Sequence, residues 1–167
     1  MANTISLIGM PGAGKSTVGV LLAKALGLNF VDSDLLLQVQ YQASLQEILD
    51  CEGHLALRAK EAEVLLNMPV ENSLISTGGS AVYSESAMAR LRQAGPVVFV
   101  DISLATVRQR IDDADSRGIA RAPGQDLAAV YAERRPLYHR FATHVIDGNT
   151  AAATITVSAI LDALHEN

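Results

Sequence analysis

Residues Gly9-Met10-Pro11-Gly12-Ala13-Gly14-Lys15-Ser16-Thr17 carry a complete G-x-x-x-x-G-K-[ST] pattern from Gly9 to Ser16. Few short patterns constrain a fold as tightly. Glycines let the backbone wrap closely around an anion, its N–H groups pointing inward with the positive end of a helix dipole behind them. The pattern therefore needs a strand before it and a helix after it. Both are legible here. Ile5-Ser6-Leu7-Ile8 reads as a short buried strand, and Val18 to Leu26 as an apolar helix. In that context Lys15 supplies a point charge for phosphate oxygens and Ser16 a hydroxyl for magnesium, with Gly12, Ala13, Gly14 and Thr17 completing a nucleotide cradle. The alternative is a chance glycine-rich turn, which the strand and helix on either side argue against.

The rest of the chain keeps the same rhythm. Strands are expected at Asn29 to Asp32, Leu74 to Ser76, Val97 to Asp101 and, more weakly, Thr143 to Ile146. Helical patterns fall between them: Leu35 to Gln40, Leu55 to Leu66, Glu85 to Gln93, Leu104 to Ile111, Asp126 to Phe141 with a kink at Pro136, and Ala151 to Leu164. Ser44-Leu45-Gln46-Glu47 reads as a capping box. Alternating β and α units with apolar strands imply a parallel five-stranded sheet covered on both faces, a three-layer α/β/α arrangement. Ligands in such sheets sit at the C-terminal strand ends, so the polar residues after each strand are the functional candidates.

A chain of 167 residues, 49% of them apolar, is long enough for one well-buried core. One domain over 1–167 is expected, acting as a monomer. The net charge of −5 excludes an electrostatic case for nucleic acid or an anionic membrane. Cys51 is the only cysteine and is expected to be an inert core or helix thiol, without disulfide or paired-cysteine metal site. With no leader before strand one and no apolar run long enough to span a membrane, the cytoplasm is the expected compartment. Seven of the ten arginines lie from Arg108 onward, so the C-terminal part is expected to handle an anion.

After strand two come Asp32-Ser33-Asp34. Two carboxylates one residue apart beside a phosphate loop can divide kinase work, one organising magnesium and its waters, the other accepting a proton from an attacking hydroxyl. A helix cap at Asp34 would explain only one of them. Arg58, in an amphipathic helix, reads by itself as a solvated charge or an i, i+3 partner of Glu61. Thr77-Gly78-Gly79-Ser80 follows a core strand, where a glycine pair serves either a tight turn or close approach by a ligand. Residues 112–124 hold Arg117, Arg121 and few large apolar side chains, the pattern of a mobile lid that brings arginine to phosphate, or of an ordinary surface loop. Arg108 and Arg110 lead into that segment and can flank a nucleotide base. Glu133-Arg134-Arg135-Pro136-Leu137-Tyr138 returns two more arginines on a helix. His54, His139, His144 and His165 fall in no triad or ligand spacing and read as surface or packing residues.

In this order, phosphate loop, Asp32-Ser33-Asp34, helix arginine, glycine pair after strand three, arginine lid and Arg134 to Tyr138, the chain resembles the shikimate kinases over nearly its whole length. The resemblance implies a nucleoside-monophosphate-kinase-like fold and transfer of the ATP γ-phosphate to the 3-hydroxyl of shikimate. It implies phosphate and magnesium roles for Lys15 and Ser16, with Asp32 in the metal's outer shell and Asp34 on the acceptor hydroxyl. Arg58 and Arg134 would grip the substrate carboxylate beside Gly78, Gly79 and Ser80. Arg117 would reach the phosphates from the lid, and Arg110 would lie beside adenine.

The chain departs from the family pattern in three places. A third glycine is usual where Ser80 stands, and its side chain is expected to intrude on the pocket. The lid usually reads Arg-Pro-Leu, here Arg117-Gly118-Ile119. A proline usual near adenine has no counterpart in Asp147-Gly148-Asn149-Thr150. Two other readings stand beside the first: a kinase of the same fold for another hydroxylated carboxylic acid, and a non-catalytic nucleotide- or metabolite-binding regulator. The combination of Lys15, Ser16, Asp32 and Asp34 argues against the regulator.

Overall fold

The computed structural model describes residues 4–111 and 118–165. Five strands, β1 (Ile5–Ile8), β2 (Asn29–Asp32), β3 (Ser73–Ser76), β4 (Val97–Asp101) and β5 (His144–Asp147), form one parallel sheet in the order β2-β3-β1-β4-β5. The phosphate loop thus leaves the central strand. Among the described residues, seven helices alternate with the strands: α1 (Lys15–Leu26), α2 (Ser33–Tyr41), α3 (Leu45–Asn67), α4 (Glu85–Ala94), α5 (Leu104–Arg110), α6 (Leu127–Phe141) and α7 (Ala153–His165), with a 3-10 turn at Ala81–Tyr83.

Side chains alternate across a strand, so each inner strand supplies both cores. Leu7, Leu74 and Val98 pack with Val18 and Leu22 of α1 and Ile160 of α7. Ile8, Ile75 and Phe99 face the other way, onto Leu65, Met88, Val107, Val130 and Tyr138. β1, β3 and most of β4 are buried, whereas Asn29, Phe30, Val145 and Asp147 of the edge strands are exposed. The edge strands are therefore covered less fully than their apolar runs imply, because each has a neighbour on one side only. A third cluster, Leu37, Ile48, Leu57, Val64 and Ala120, fastens α2 to α3 and holds the segment after residue 117 against them.

Local chemistry sets the helix starts. The capping box at Ser44 and Glu47 is formed, joining the short pattern near Leu45 and the longer one from Leu55 into α3. That helix departs from helical geometry at Gly53, whose φ is 85°. α6 runs as one helix through Pro136, with Asp126 as its cap. Cys51 lies on the exposed side of α3 and takes no part in the core.

Candidate active site

A cleft of about 680 Å³ opens at the C-terminal ends of β1, β2 and β3. Gly12, Gly14, Lys15, Ser16 and Thr17 line one wall, while Asp34, Gly79, Ser80, Arg110 and Arg134 line the others. Ala13 packs into the core behind the loop. Arg117 lies outside the described residues, as does the first half of the 112–124 segment.

On the phosphate side, Lys15 is buried and its Nζ donates to the carbonyls of Gly9 (2.8 Å) and Met10 (2.9 Å), folding back over its own loop. Burial pulls its pKa down to about 8, against the opposing pull of Asp34, Glu61 and Asp32. Ser16 Oγ donates to Asp32 Oδ2 at 2.6 Å. The other Asp32 oxygen accepts from the backbone N–H groups of Asp34 and Leu35, at 3.0 and 3.2 Å. Asp32, not Asp34, is therefore the cap of α2, and Asp34 is left free to face the cleft. A hydroxyl and a neighbouring carboxylate are hard oxygen donors of the kind magnesium takes alongside its waters. With both Asp32 oxygens already hydrogen-bonded, the pair suits a site in which Ser16 meets the ion and Asp32 meets its hydration shell. Arg110 ties this wall together, donating to the carbonyls of Gly12 (3.2 Å), Gly148 and Thr150 (both 3.0 Å). Asn149, in the loop that lacks the usual proline, accepts from Ser103 N and Thr106 Oγ1, so that loop is held by polar bonds instead.

On the acceptor side, burial raises the pKa of Asp34 to about 6, the nearby Asp32 charge adding to it and Lys15 opposing it. Glu61, a residue that spacing alone marked only as a helical neighbour of Arg58, proves to be fully enclosed. Burial and the charge of Asp34 push it up to about 7, while Ser80, Arg134 and Lys15 act in the opposite sense. Gly78 explains how the two carboxylates meet. A Cβ at that position would lie 2.2 Å from Glu61 Oε1 and 2.5 Å from Asp34 Oδ1, so only glycine leaves room for both. The Gly78 N–H is meanwhile held by Ser33 Oγ (3.0 Å), and the Gly79 carbonyl by Tyr138 OH (2.5 Å). Ser80 lines the cleft, and its hydroxyl donates to Glu61 Oε2.

Arg58 and Arg134 come from helices far apart in sequence and converge on one atom. Their Nη2 atoms donate to the carbonyl oxygen of Ala120, at 3.3 and 2.6 Å. Arg134 is 1% exposed. Arg58 pairs with Glu133 at 3.8 Å, not with Glu61, and its side chain is 19% exposed, so it is no solvated surface charge. Ala120 belongs to the stretch following residue 117, whose Gly118 N–H bonds Gln46 Oε1 (3.0 Å) on α3. Gly118 has φ +60°, a value closed to proline, and a Cβ there would run into Leu45 at 2.5 Å. Gly118 thus takes a backbone conformation that a proline at its place could not. Arg108 is absent from the cleft lining, and Arg135 pairs with Asp101 at 2.6 Å. His139 packs edge-on to Phe99, at 5.1 Å between centroids.

A sequence model of the shikimate kinase family matches residues 11–165. The chain belongs to the shikimate kinase family. It is accordingly a phosphotransferase with an alcohol acceptor. Shikimate kinase 2 of Yersinia pseudotuberculosis is 35% identical over 169 residues, spanning 98% of this chain and 97% of the relative. Among solved structures, shikimate kinase from Acinetobacter baumannii in complex with shikimate is similar with a TM-score of 0.89 and 31% identity, over 98% of this chain and 93% of that one. Shikimate kinase from Aquifex aeolicus gives 0.83 and 33%, over 96% and 95%. The doubly covered parallel sheet is the fold of these relatives. No described helix is long and apolar enough to cross a membrane.

Proposed function

We propose that the protein transfers the γ-phosphoryl group of ATP to the 3-hydroxyl of shikimate, giving shikimate 3-phosphate and ADP. The observation that carries this reading is the convergence, in one cleft, of a phosphate loop, the half-buried Asp34 carboxylate of raised pKa and Arg134, with Arg58 directly behind the lining and bonded to the same Ala120 carbonyl. Backbone N–H groups of residues 12–17 and Lys15 cradle the ATP phosphates. Ser16, with Asp32 beside it, would hold Mg²⁺, whose charge would offset that on the phosphate oxygens. Arg110 flanks adenine, and Arg117 reaches the phosphates from a lid formed by residues 112–124, within a single kinase domain spanning 1–167 that works as a cytoplasmic monomer.

Across the cleft, Arg58 and Arg134 take the substrate carboxylate in a charge-assisted grip, with Gly78, Gly79 and Ser80 forming the floor. Asp34 accepts the proton of the 3-hydroxyl as its oxygen bonds to the γ-phosphorus and the bridging oxygen leaves with ADP. A carboxylate with a pKa near 6 is ionised at neutral pH and a better base than an ordinary aspartate. The second reading is another hydroxylated carboxylic acid as natural acceptor, for which Ser80, lining the cleft with its hydroxyl donated to Glu61, is the contact to draw on. The test is ADP release against a panel of hydroxylated carboxylic acids. The highest kcat/KM is expected for shikimate, and a higher value for another acid would replace it as the acceptor.

A further inference from the structure

Arg58 and Arg134 are like charges sharing one neutral acceptor, the Ala120 carbonyl. By themselves they repel, and each long side chain has several rotatable bonds to wander over. The residue between them is Tyr83, the last of the 3-10 turn that follows Gly79 and Ser80. Its ring lies 3.6 Å from the Arg58 guanidinium carbon and 5.4 Å from that of Arg134. Its hydroxyl accepts from Arg134 Nε at 3.3 Å and donates to Glu133 Oε1 at 2.5 Å. The same Glu133 oxygen is the one 3.8 Å from Arg58. One side chain therefore touches both arginines and the carboxylate that balances them.

The chemistry of each contact favours the cations. An aromatic face is the negative end of a quadrupole and attracts guanidinium groups, Arg most of all. Glu133 supplies the counter-charge from the rim, and is itself held by Gln125 Nε2 at 3.0 Å. The backbone under the ring is fixed too, since Tyr83 N donates to Ser80 O at 3.1 Å. Arg58 Nε remains buried with no hydrogen-bond partner among the described residues, a donor in place for an incoming anion. Two cations held ready in this way spare a ligand the cost of ordering them.

We propose that Tyr83 is a positioning residue for the carboxylate of the acceptor, holding Arg58 and Arg134 in the arrangement in which both face one anion. The proposal rests on the reading of shikimate as acceptor and sharpens it: the site selects carboxylates because an aromatic side chain has ordered its arginines beforehand. Tyr83 acts through the arginines and leaves the phosphate side untouched.

The experiment measures kcat and both KM values for wild type, Tyr83→Leu and Tyr83→Phe, with shikimate and with its uncharged carboxamide. Tyr83→Leu is expected to raise KM for shikimate about tenfold, with kcat and KM for ATP held within about threefold. Tyr83→Phe keeps the ring and loses the hydroxyl, for an expected rise of about threefold. With the carboxamide, neither variant should differ from wild type by more than about twofold, the spread expected of a contact that never forms. Equal weakening of acid and carboxamide, or a KM for shikimate in Tyr83→Phe identical to wild type, overturns the proposal. Should the leucine variant be unstable, the nearly isosteric phenylalanine variant still decides between these outcomes. Wild-type protein that leaves shikimate unphosphorylated would instead overturn the functional reading beneath it.

Discussion

Along the phosphate wall the ligand-facing groups come from within residues 12–17 at the end of a buried central strand, whereas across the cleft Asp34, Ser80 and Arg134 come from three separate segments, backed by Arg58 from a fourth. The first wall is mostly backbone and one lysine. The second is made of buried charges that hold one another in place: Glu61 against Asp34 and Ser80, two arginines on Ala120, and Tyr83 between them. A wall built by local geometry tolerates change everywhere except at its few chemical groups. A wall built by tertiary contacts spreads the damage of any change among neighbours, because a buried charge that loses its partner carries the desolvation cost alone.

The largest effect is expected on the local wall. Lys15→Ala removes the only side-chain cation of the loop, and phosphoryl transfer should fall by about 1,000-fold or more, since electrostatic stabilisation is the main thing a protein contributes to this reaction. Steady-state rates, with calorimetry of ATP binding, check it. Undiminished transfer would end the claim that the loop is the nucleotide site.

Asp34→Asn should lower kcat at least ~100-fold while ATP affinity holds, because size and one acceptor oxygen remain but the base is gone. A fall in ATP affinity of the same size would mean that the two walls are not separable. Replacing Arg58 or Arg134 by alanine should raise KM for shikimate by ~10-fold or more, the equivalent of one lost charged hydrogen bond. Lysine should not rescue either site, for want of the planar fork. Melting curves distinguish the pair: Arg134→Ala, at a 1%-exposed position, should also lower stability more than Arg58→Ala.

The pH profile of kcat/KM for ATP should be bell-shaped. On the acid side, Asp34 takes up its proton as pH falls through about 6 and can no longer accept one. On the alkaline side, Lys15 loses its proton as pH rises through about 8 and with it the charge offered to phosphate. Bound phosphates favour the charged lysine, so the alkaline limb of kcat should lie higher than that of kcat/KM. An alkaline limb that stays put on ATP saturation would separate Lys15 from the phosphates. The smallest effect is expected for Ser80→Gly. Losing one hydroxyl from Glu61 should change kcat/KM for shikimate by no more than ~5-fold, within the range of a single hydrogen bond. A loss as large as that of Arg58→Ala would make Ser80 a direct substrate contact.

These two walls were not equally legible in the sequence. Gly9 to Ser16 identifies the loop because its chemistry depends on adjacent residues, and the alternation of patterns points to the sheet because burial on both faces favours apolar residues, four in a row in β4, three of four in β1 and the Leu74-Ile75 pair in β3. Asp32 and Asp34 stood out as a pair, but which one capped α2 depended on the turn itself. Glu61 carried a faint signal, three residues after Arg58 on the same helical face, and read as a surface partner until β3 and Gly78 closed over it. Tyr83, Glu133 and the Ala120 carbonyl carried none: nothing in an isolated 3-10 turn, a helix glutamate or a backbone carbonyl announces that three distant segments meet there. The resemblance to a family assigns Arg58 and Arg134 to a carboxylate, whereas spacing alone reads Arg58 as a surface charge or a partner of Glu61 and places Arg134 only on a helix that returns to the site.

The most direct test of the account is the product itself. Wild-type protein with Mg-ATP and shikimate, followed by phosphorus NMR with phosphorus–proton correlation, should show one phosphate monoester on the 3-hydroxyl, formed in step with ADP. Free phosphate without an ester, or an ester on another hydroxyl, would contradict it.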